Sequence, residues 1–392
     1  MTVRAGIVLL ALGFLTAGYA YFGYPIVLRL LVLARRKPAA PPPPGPAEWP
    51  SISVTVPAYN EERAIAATLD AILATDYPGR RQILVVSDGS TDRTDEIVRG
   101  YAGRGVELLR TPARAGKIAA ENLARAHLTG DIVVNTDASV RIAPGAIKPL
   151  IARFADPTVG VASGRDVSVA ELDRDLNVGE SGYVGYEMKV RDLETRLGSI
   201  VGASGCFYAI RRDLHVTDFP PALSRDFACA LIARERGYRA VSVNEAVCYV
   251  PRIRSLHGEY RRKVRTLVRG LETLWYKRAL MNPLRYGAFA WMLASHKLVR
   301  WLAPWGMVLA AAGWLLVATA LRSWLLGAVC VVPLLLAAAG WWWPEGRRAP
   351  RIVSVPAYVV SGIVAALDAW VRALRGEVNA VWEPTRRAVV NS

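Results

Sequence analysis

The chain has 392 residues, of which 53% are hydrophobic, and it carries 12 tryptophans and a formal net charge of +16. This apolar fraction is too high for an ordinary soluble enzyme, so we expect part of the chain to lie in a membrane. The positive charge does not predict nucleic-acid binding, because the basic residues concentrate from Arg252 to Arg278 and beside apolar segments, without a groove-reading motif. Such clusters favour the anionic surface of a lipid bilayer.

The N-terminal segment, residues 1–37, is predicted to be an uncleaved membrane anchor. The span from Gly6 to Leu33 contains no charge except Arg29, and it is long enough to cross a hydrocarbon core of roughly 30 Å. The basic cluster from Arg35 to Lys37 follows the apolar span, whereas the basic residues of a secretory signal precede it. By the positive-inside bias, this cluster places the following domain in the cytoplasm.

Residues 38–50, PAAPPPPGPAEWP, are dense in proline and predict an extended, semi-rigid spacer. A proline-rich ligand for another protein is the alternative, although we predict no obligate protein partner. The four cysteines, Cys206, Cys229, Cys248 and Cys330, show no paired spacing, and three of them lie in the domain expected in a reducing compartment. We therefore predict neither a disulfide nor a zinc site.

From residue 51 onward, apolar runs typical of buried strands alternate with helical patterns. Two such runs end in VPAYNE and SDGSTD, and Glu61 to Arg80 between them has the apolar spacing of one helical face. The alternation continues with a helix from Asp92 to Tyr101, the strand VELLRT, a helix from Lys117 to His127 and the strand DIVVNTDAS. This alternation predicts a parallel sheet, whose ligands bind where the strands end. Asp88 and Asp137 both fall at those ends.

Four motifs follow one another along this domain: VPAYNE, SDGSTD, RAGK and a strand that ends in TDA. In this order and spacing they resemble the family-2 glycosyltransferases with a GT-A fold, and the resemblance continues through GASGCFYAIRRDL, SRDFACAL and YRRKVRTLVRG. With apolar spans on both sides, the chain is similar to membrane-embedded synthases of the hyaluronan, chitin and cellulose synthase type. The resemblance implies an α/β, Rossmann-like GT-A domain at residues 51–250, a UDP-sugar donor and a glycan or lipid-linked acceptor. It also implies a multi-pass protein of a bacterial-type plasma (inner) membrane with a cytoplasmic catalytic domain.

The nucleotide-sugar site implied by the resemblance involves the strand ends and the RAGK loop. The backbone of Ala58 and the side chain of Asp88 match positions that hydrogen-bond a uracil edge, although an Asp in a DGS turn also forms turns without a ligand. Glu62 belongs either to this site or to the cap of the following helix. Arg114 and Lys117 precede a helix N-terminus that would attract phosphates, and the alternative for each is a solvated surface charge.

Asp137 is the expected ligand of Mg²⁺ or Mn²⁺, which would bridge the diphosphate oxygens and stabilise the leaving group. In the family a second aspartate usually stands two positions further on, where this chain has Ser139. A serine hydroxyl can still contribute an oxygen, but it removes a formal charge. We therefore expect weaker metal affinity or the help of another residue.

Asp226 in SRDFACAL matches the catalytic base of the family, which accepts the proton of the acceptor hydroxyl. One base and a good leaving group imply inversion at the anomeric carbon. The preceding residue, usually acidic in the family, is Arg225. The alternative role of Asp226 is the N-cap of a helix predicted from Phe227 to Arg236.

The small residues of GASGCFYAI permit a sugar to approach the backbone, and in the family this loop faces the acceptor. The resemblance therefore assigns acceptor binding to Gly202, Ser204, Gly205 and Cys206. A simple tight turn is the alternative.

Residues 251–303 predict basic helices at the membrane interface, including Leu284 to Pro304 and an amphipathic helix from Tyr260 to Lys277. The latter resembles the QxxRW helix of processive synthases at Arg265, but Arg262 replaces the Gln and Thr266 replaces the Trp. These replacements weaken the prediction of processivity. Arg262 or Arg265 would still contact the donor diphosphate.

Residues 304–375 predict the C-terminal transmembrane region, beginning with a hairpin of Pro304 to Leu321 and Trp324 to Trp343. Ile352 to Leu367 is short and predicts either a tilted span or an interfacial helix. Residues 376–392 form a basic tail, in which VWEPTRR resembles the loop that covers the donor site of membrane synthases. That role requires a cytoplasmic tail, and a plain juxtamembrane tail is the alternative.

The sequence is compatible with three functions. The first is a hexosyl- or N-acetylhexosaminyltransferase that extends a surface polysaccharide from a UDP-sugar, with or without coupled translocation. The second is transfer of a single sugar to a lipid acceptor such as a polyprenyl phosphate. The third is a non-catalytic, nucleotide-sugar-binding membrane protein, which the departures at Ser139 and Arg225 would favour.

Overall fold

The computed structural model describes residues 2–35, 45–46, 48–169, 179–215, 219–251, 255–344, 347 and 349–377. For residues 179–183 it describes the backbone only. Most of the predicted proline-rich spacer and nearly all of the predicted basic tail, including VWEPTRR, lie outside these residues. The chain divides into two compact units. One contains the β-sheet with its helices, and the other contains the first two helices and the helices that follow the sheet.

The strands found in the described residues form one sheet of eight, in the order β3-β2-β1-β4-β7-β6-β8-β5. They are β1 Ile52–Ala58, β2 Arg81–Ser87, β3 Val106–Arg110, β4 Ile132–Thr136, β5 Arg141–Ile142, β6 Val159–Val169, β7 Phe207–Arg211 and β8 Arg239–Pro251. The first four strands are parallel, as predicted. The parallel prediction covered these strands only; further along the chain, β7 enters between β4 and β6 and runs antiparallel to both.

The helices of the described residues follow in chain order. They are α1 Thr2–Gly18, α2 Tyr24–Ala34, α3 Ile65–Leu73, α4 Thr94–Arg99, α5 Lys117–Ala124, α6 Ile147–Ala152, α7 Gly179–Leu197, α8 Arg212–His215, α9 Arg225–Glu235, α10 Leu256–Tyr276, α11 Pro283–Tyr286, α12 Ala288–Leu293, α13 Arg300–Ala320, α14 Trp324–Trp341 and α15 Arg351–Leu374. Short π-helical segments, Tyr19–Gly23 and Ala294–Val299, connect α1 to α2 and α12 to α13.

The central strands are rich in β-branched residues and are buried on both faces, as expected when helices cover a sheet. On one face, Val54 and Val56 pack in a cluster with Ile65 and Leu69 of α3. On the other face, Leu84 and Val86 pack in a cluster that includes Ile118 of α5. The apolar interior thus fixes β1, β2 and β4 side by side, and their carboxyl ends meet at one edge of the sheet.

Helix α3 is much shorter than the predicted helix from Glu61 to Arg80. The backbone from Glu61 to Ala64 forms a turn before the helix, in which the amides of Ala64 and Ile65 donate to the carbonyl of Glu61. The turn residues Asp76 to Gly79 then separate the helix from β2. The apolar periodicity therefore located the helix correctly but overstated its length.

Four helices of the described chain are long and apolar enough to cross a membrane: Thr2–Ala34, Ala288–Ala320, Trp324–Trp341 and Arg351–Leu374. The predicted break at Pro304 is absent, because α12, the π-helical segment and α13 form one continuous helix of 33 residues. Its basic residues do not interrupt it, since His296 and Arg300 are buried against neighbouring residues. The predicted short segment from Ile352 to Leu367 is also longer than expected, at 24 residues in α15.

Helices α1 and α13 approach each other through paired glycines. A Cβ on Gly13 would lie 2.2 Å from the carbonyl oxygen of Gly306, and one on Gly313 would lie 2.5 Å from that of Gly6. Close backbone packing through small residues is typical of helices that associate inside a bilayer. The packing therefore agrees with the composition of these two helices.

Candidate active site

The three predicted donor-site positions at strand ends are neighbours in the structure. Ala58 ends β1, Asp88 directly follows β2 and Asp137 directly follows β4, and β1 pairs with both other strands. The amide of Asp88 donates to the carbonyl of Ala58 over 2.8 Å. The sheet itself therefore brings these positions to a common edge.

The carboxylate of Asp88 organises the RAGK loop. It accepts hydrogen bonds from the amides of Ala115 and Gly116, each at 2.8 Å, and from the hydroxyl of Thr111 at 3.3 Å. Gly116 has a φ of 96°, a backbone conformation that favours glycine. Asp88 thus sets the start of α5, and a nucleobase would have to share its oxygens with this loop.

Two other residues that were predicted to bind the nucleotide-sugar, Arg114 and Glu62, have contacts near the same loops. The guanidinium of Arg114 lies 4.1 Å from the centroid of the Tyr59 ring, just beyond β1. Glu62 accepts a hydrogen bond from the amide of Arg93 at 3.2 Å, immediately before α4. The capping alternative for Glu62 therefore applies to α4 and not to the helix that follows it in sequence.

Lys117 and Asp137 form the main ion pair at this edge. The Nζ atom of Lys117 lies 2.6 Å from Oδ1 of Asp137 and 4.0 Å from Oε1 of Glu121. Burial lowers the pKa of Lys117, but the attraction of Asp137 and Glu121 outweighs it, so the pKa is raised. Lys117 is therefore positively charged and Asp137 already neutralises a cation.

The carboxylate oxygens of the half-buried Asp137 are of the type that a hard divalent cation prefers, and such a cation would compete there with the ammonium group of Lys117. Ser139, also half-buried, stands two residues further on. No group of three or more His, Cys, Asp or Glu side chains is arranged as a metal site within the described part of the chain. Further metal oxygens would thus come from Ser139, solvent or the donor diphosphate.

Asp226 lies in the first turn of α9, which begins at Arg225, two residues earlier than predicted. The N-cap position belongs to Ser224 and not to Asp226, so the capping alternative for Asp226 is wrong. The hydroxyl of Ser224 donates to Oδ1 of Asp226. The other oxygen, Oδ2, faces Gly205, where a Cβ would lie only 2.7 Å away.

The glycine loop, residues 202–206, contacts Asp226 and also a second carboxylate, Asp166 of β6, which sequence reasoning missed. The amide of Ala203 donates to the carbonyl of Asp226 at 3.2 Å, and the Ser204 hydroxyl lies 2.6 and 2.7 Å from the two oxygens of Asp166. Burial raises the pKa of Asp166, and repulsion from Asp137 adds to that effect. The strand offered only a weak signal, because Asp166 lies in its polar half, next to Arg165.

The remaining two acceptor-loop positions are placed by the backbone. Gly202 is buried, and the amide of Cys206 donates to the Ser204 hydroxyl at 3.1 Å. The carbonyl of Cys206 accepts a hydrogen bond from Thr136 at 3.0 Å, which ties the loop to the end of β4. All four predicted acceptor residues therefore lie on one loop beside Asp226.

Arg225, the departure from the usual acidic residue, forms a buried ion pair with Glu121. Its Nε atom lies 3.1 Å from Oε2 of Glu121, and it also donates to the carbonyl of His215 at 3.1 Å and to the Asn122 side chain. Burial raises the pKa of Glu121 against the attraction of Lys117 and Arg225. The pair connects the helix that carries Asp226 to the helix that carries Lys117.

Arg262 and Arg265 lie on α10, which belongs to the unit without the sheet. The guanidinium of Arg262 pairs with Glu259 one turn earlier, at 2.7 Å. Contact of either arginine with the diphosphate stays a prediction.

Replacement of Gly205 by alanine should impair transfer with little effect on nucleotide binding. The new methyl group would meet Oδ2 of Asp226 at 2.7 Å and displace either the base or the loop. We expect kcat to fall by about tenfold or more, because small misplacements of a catalytic group are costly. Steady-state kinetics and nucleotide titration measure the two effects separately.

Gly103→Ala is the matched control, because a Cβ at Gly103 meets no atom within 4 Å. Equal kcat values for the Gly205 and Gly103 variants would contradict the close approach of the loop to Asp226.

His215 should make the domain sensitive to acid. Burial, reinforced by repulsion from Arg225 and Arg125, lowers the pKa of His215 from 6.5 to about 3. The folded state therefore binds the proton less readily than the unfolded state, so its stability is complete above pH 6.5 and decreases between pH 6.5 and about 3. The expected slope is about 1.4 kcal/mol per pH unit, measured by chemical unfolding at several pH values.

His215→Gln should flatten this slope, whereas the same change at the exposed His127 should leave it intact. A slope unaffected by His215→Gln would assign the acid sensitivity to other groups.

Comparisons with known proteins identify the family of the chain. A family model described as Glycosyl transferase family 2 matches residues 53–217. An N-acetylglucosaminyltransferase of Rhizobium sp. (strain N33) is 34% identical over 216 residues, which cover 51% of this chain and 48% of that protein. An N-acetylglucosaminyltransferase of Rhizobium leguminosarum bv. trifolii is 30% identical over 129 residues, which cover 32% of this chain and 71% of that protein.

The chain spans about a third to a half of the length of the first curated relatives it matches. Among solved structures, the mannosyltransferase PcManGT from Pyrobaculum calidifontis, in complex with GDP-Man and Mn²⁺, has a TM-score of 0.70 and 25% identity. That match covers 96% of this chain and 100% of the solved chain. The fold, the family match and these relatives confirm the resemblance: the chain belongs to glycosyl transferase family 2 and is a glycosyltransferase with a GT-A fold.

Proposed function

We propose that the protein transfers a sugar from a UDP-sugar, foremost N-acetylglucosamine, to a glycan or lipid-linked acceptor at a membrane, with inversion at the anomeric carbon. The observation that carries the proposal is the arrangement of Asp226 Oδ2 against Gly205, beside the sheet edge that holds Asp88, Lys117 and Asp137. The names of the curated relatives support N-acetylglucosamine as the sugar.

In this mechanism Asp226 accepts the proton of the acceptor hydroxyl as that oxygen attacks the anomeric carbon. The Ser224 hydroxyl holds one oxygen of Asp226, which leaves the other directed at the glycine loop. Asp88 fixes the RAGK loop, so that Lys117 stands at the N-terminus of α5 where a diphosphate binds favourably. Mg²⁺ or Mn²⁺ held by Asp137 and Ser139 would neutralise charge on the departing nucleotide.

The four long apolar helices support a multi-pass membrane location, with the sheet domain in the cytoplasm as the basic cluster at Arg35 predicts. We propose a bacterial-type inner membrane on this basis. If all four helices cross, the tail lies on the same side as the N-terminus. In that arrangement VWEPTRR cannot cover a cytoplasmic donor site, and the plain-tail alternative is favoured.

A second candidate donor is GDP-mannose, favoured by the likeness of the whole chain to PcManGT. The non-catalytic alternative has less support, because Lys117, Asp137 and Asp226 are all present and grouped around the same loops. Extension of a polysaccharide and single addition to a lipid differ in the size of the product.

The test is nucleotide release by the full-length protein in detergent, with UDP-GlcNAc, UDP-glucose and GDP-mannose as donors and with Mg²⁺, Mn²⁺ or EDTA. We expect release from UDP-GlcNAc that EDTA abolishes and that Asp137→Asn strongly reduces. Asp70→Asn, a change at an exposed carboxylate of α3, is the control and should keep full activity. Release from GDP-mannose alone would show that the donor is GDP-mannose and not UDP-GlcNAc. Metal-independent release would remove the proposed role of Asp137. Binding of a donor without nucleotide release would favour the non-catalytic alternative.

A further inference from the structure

Two carboxylates border the glycine loop, and only one of them has a role in the mechanism above. Asp226 contacts the loop at Ala203 and Gly205, and Asp166 contacts it at Ser204. Because these loop residues are consecutive, both carboxylates border the same short segment. Asp166 therefore lies beside the place where the acceptor must enter.

Asp166 retains hydrogen-bonding capacity. The Ser204 hydroxyl supplies one proton shared between its two oxygens, and the thiol of Cys248 lies 3.4 Å from Oδ1. A carboxylate offers about four lone pairs, so room remains for hydroxyl groups of a ligand. Asp166 is half-buried, so part of the residue is accessible.

Ser204 is held rigidly for this contact. Its amide donates to the hydroxyl of Ser163 at 2.8 Å, its own hydroxyl accepts from the amide of Cys206 at 3.1 Å, and its side chain is buried. The direction of the Ser204 to Asp166 hydrogen bond is therefore fixed by the backbone. Asp166 is presented to a ligand in one orientation.

The charges near the loop disfavour an anionic acceptor. The described cations close to it are already matched to carboxylates: Lys117 to Asp137, Arg225 to Glu121 and Arg191 to Glu187 at 3.5 Å. Arg191 also donates to the carbonyl of Ala203 in the loop at 3.4 Å and attracts Asp166, so Asp166 and Asp226 leave the described carboxylates around the loop in excess over the cations. A phosphate monoester, with a charge of about −1.5 to −2 near neutral pH, would be repelled there.

The proposed base, Asp226, also favours an uncharged hydroxyl over a phosphate as the acceptor. A phosphate oxygen is ionised near neutral pH and can attack without losing a proton, whereas a sugar hydroxyl must lose one. Asp226 is placed for that proton transfer beside the loop.

We propose that Asp166, oriented by Ser204, is a specificity-determining residue that binds a hydroxyl of the acceptor, and that the accepting group is a hydroxyl of a neutral sugar rather than a lipid phosphate. The inference rests on the proposed function and deepens it by naming the class of acceptor. It assigns the choice of acceptor to the pair Asp166 and Ser204, and the proton transfer to Asp226.

The test compares two acceptors with the full-length protein in detergent and radiolabelled UDP-GlcNAc. One is the octyl glycoside of a GlcNAc disaccharide, and the other is farnesyl phosphate. We expect the wild-type protein to glycosylate the disaccharide in preference to the phosphate. Asp166→Asn should raise the acceptor KM by about tenfold or more, as expected for loss of a hydrogen bond to a charged group, and should change the donor KM little.

Ser204→Ala should shift the acceptor KM in the same direction by a smaller factor, and Asp70→Asn should shift neither KM. UDP titration of each variant verifies that the donor site is folded, and Ser204→Ala decides the question if Asp166→Asn no longer binds UDP. Three results would overturn the inference and leave the transferase assignment standing. They are an unchanged acceptor KM in a folded variant, a preference for farnesyl phosphate, and donor hydrolysis without transfer to the disaccharide. Wild-type protein that neither binds nor cleaves any nucleotide-sugar would instead remove the proposed function, and the inference with it.

Discussion

Asp226→Asn is expected to reduce kcat by about 10²–10⁴-fold, the usual contribution of a general base. Asparagine keeps the size of the side chain and can still interact with Ser224, but it cannot accept the proton of the acceptor hydroxyl. The proposed donor site at Asp88, Lys117 and Asp137 keeps its contacts. Nucleotide affinity should therefore change little, and kinetics with UDP titration separate the two quantities.

Glu235→Gln is the matched control for this experiment, because it makes the same type of change at an exposed position on the same helix, α9. It should retain wild-type kcat. Substantial transfer by Asp226→Asn would show that another group accepts the proton.

Loss of the Arg225 side chain is expected to have the largest effect on stability. Arg225→Met would leave Glu121 buried in the domain without its 3.1 Å partner, since only 2% of Glu121 is exposed. Breaking a buried ion pair on one side costs about 3–5 kcal/mol, and Lys117, which lies 4.0 Å from Glu121 but is already paired with Asp137, offsets only part of this cost. Chemical unfolding followed by fluorescence, in the same detergent as the wild type, measures the loss.

The double variant Glu121→Leu with Arg225→Met should recover most of this stability, because an apolar pair of similar volume often replaces a buried ion pair at little cost. We expect the kcat of both the single and the double variant to be lower than that of the wild type, because the link between Asp226 on α9 and Lys117 on α5 is lost. A double variant as unstable as Arg225→Met would show that the loss comes from the other hydrogen bonds of Arg225, to His215 and Asn122, and not from the unpaired charge of Glu121.

Much of the first half of the sheet domain could be predicted from local sequence. The βαβ alternation placed Asp88 and Asp137 at strand ends, where the structure has them. The order of the motifs also placed the glycine loop and Asp226 in one site, and the structure brings them into contact. These features follow from periodicity and from motif spacing, which are properties of short segments.

Other features depend on contacts between segments far apart in the chain. The antiparallel entry of β7 between β4 and β6 leaves no local pattern, because a buried strand has the same apolar residues in either direction. Asp166 joins the site through Ser204, 38 residues away, and Glu121 pairs with Arg225, 104 residues away. Sequence reasoning saw Arg225 only as a departure from the family pattern.

By itself, the sequence determined the class of fold, the apolar helices and the residue types of a glycosyl-transfer site, because each is encoded in local periodicity or in ordered motifs. Only the tertiary structure decided that Asp88 organises the RAGK loop, that Arg225 neutralises Glu121 and that Asp166 contacts the same glycine loop as Asp226. The physical reason is that charge balance and hydrogen bonding are settled between side chains in space. The sheet sets those distances when it brings distant segments to one edge.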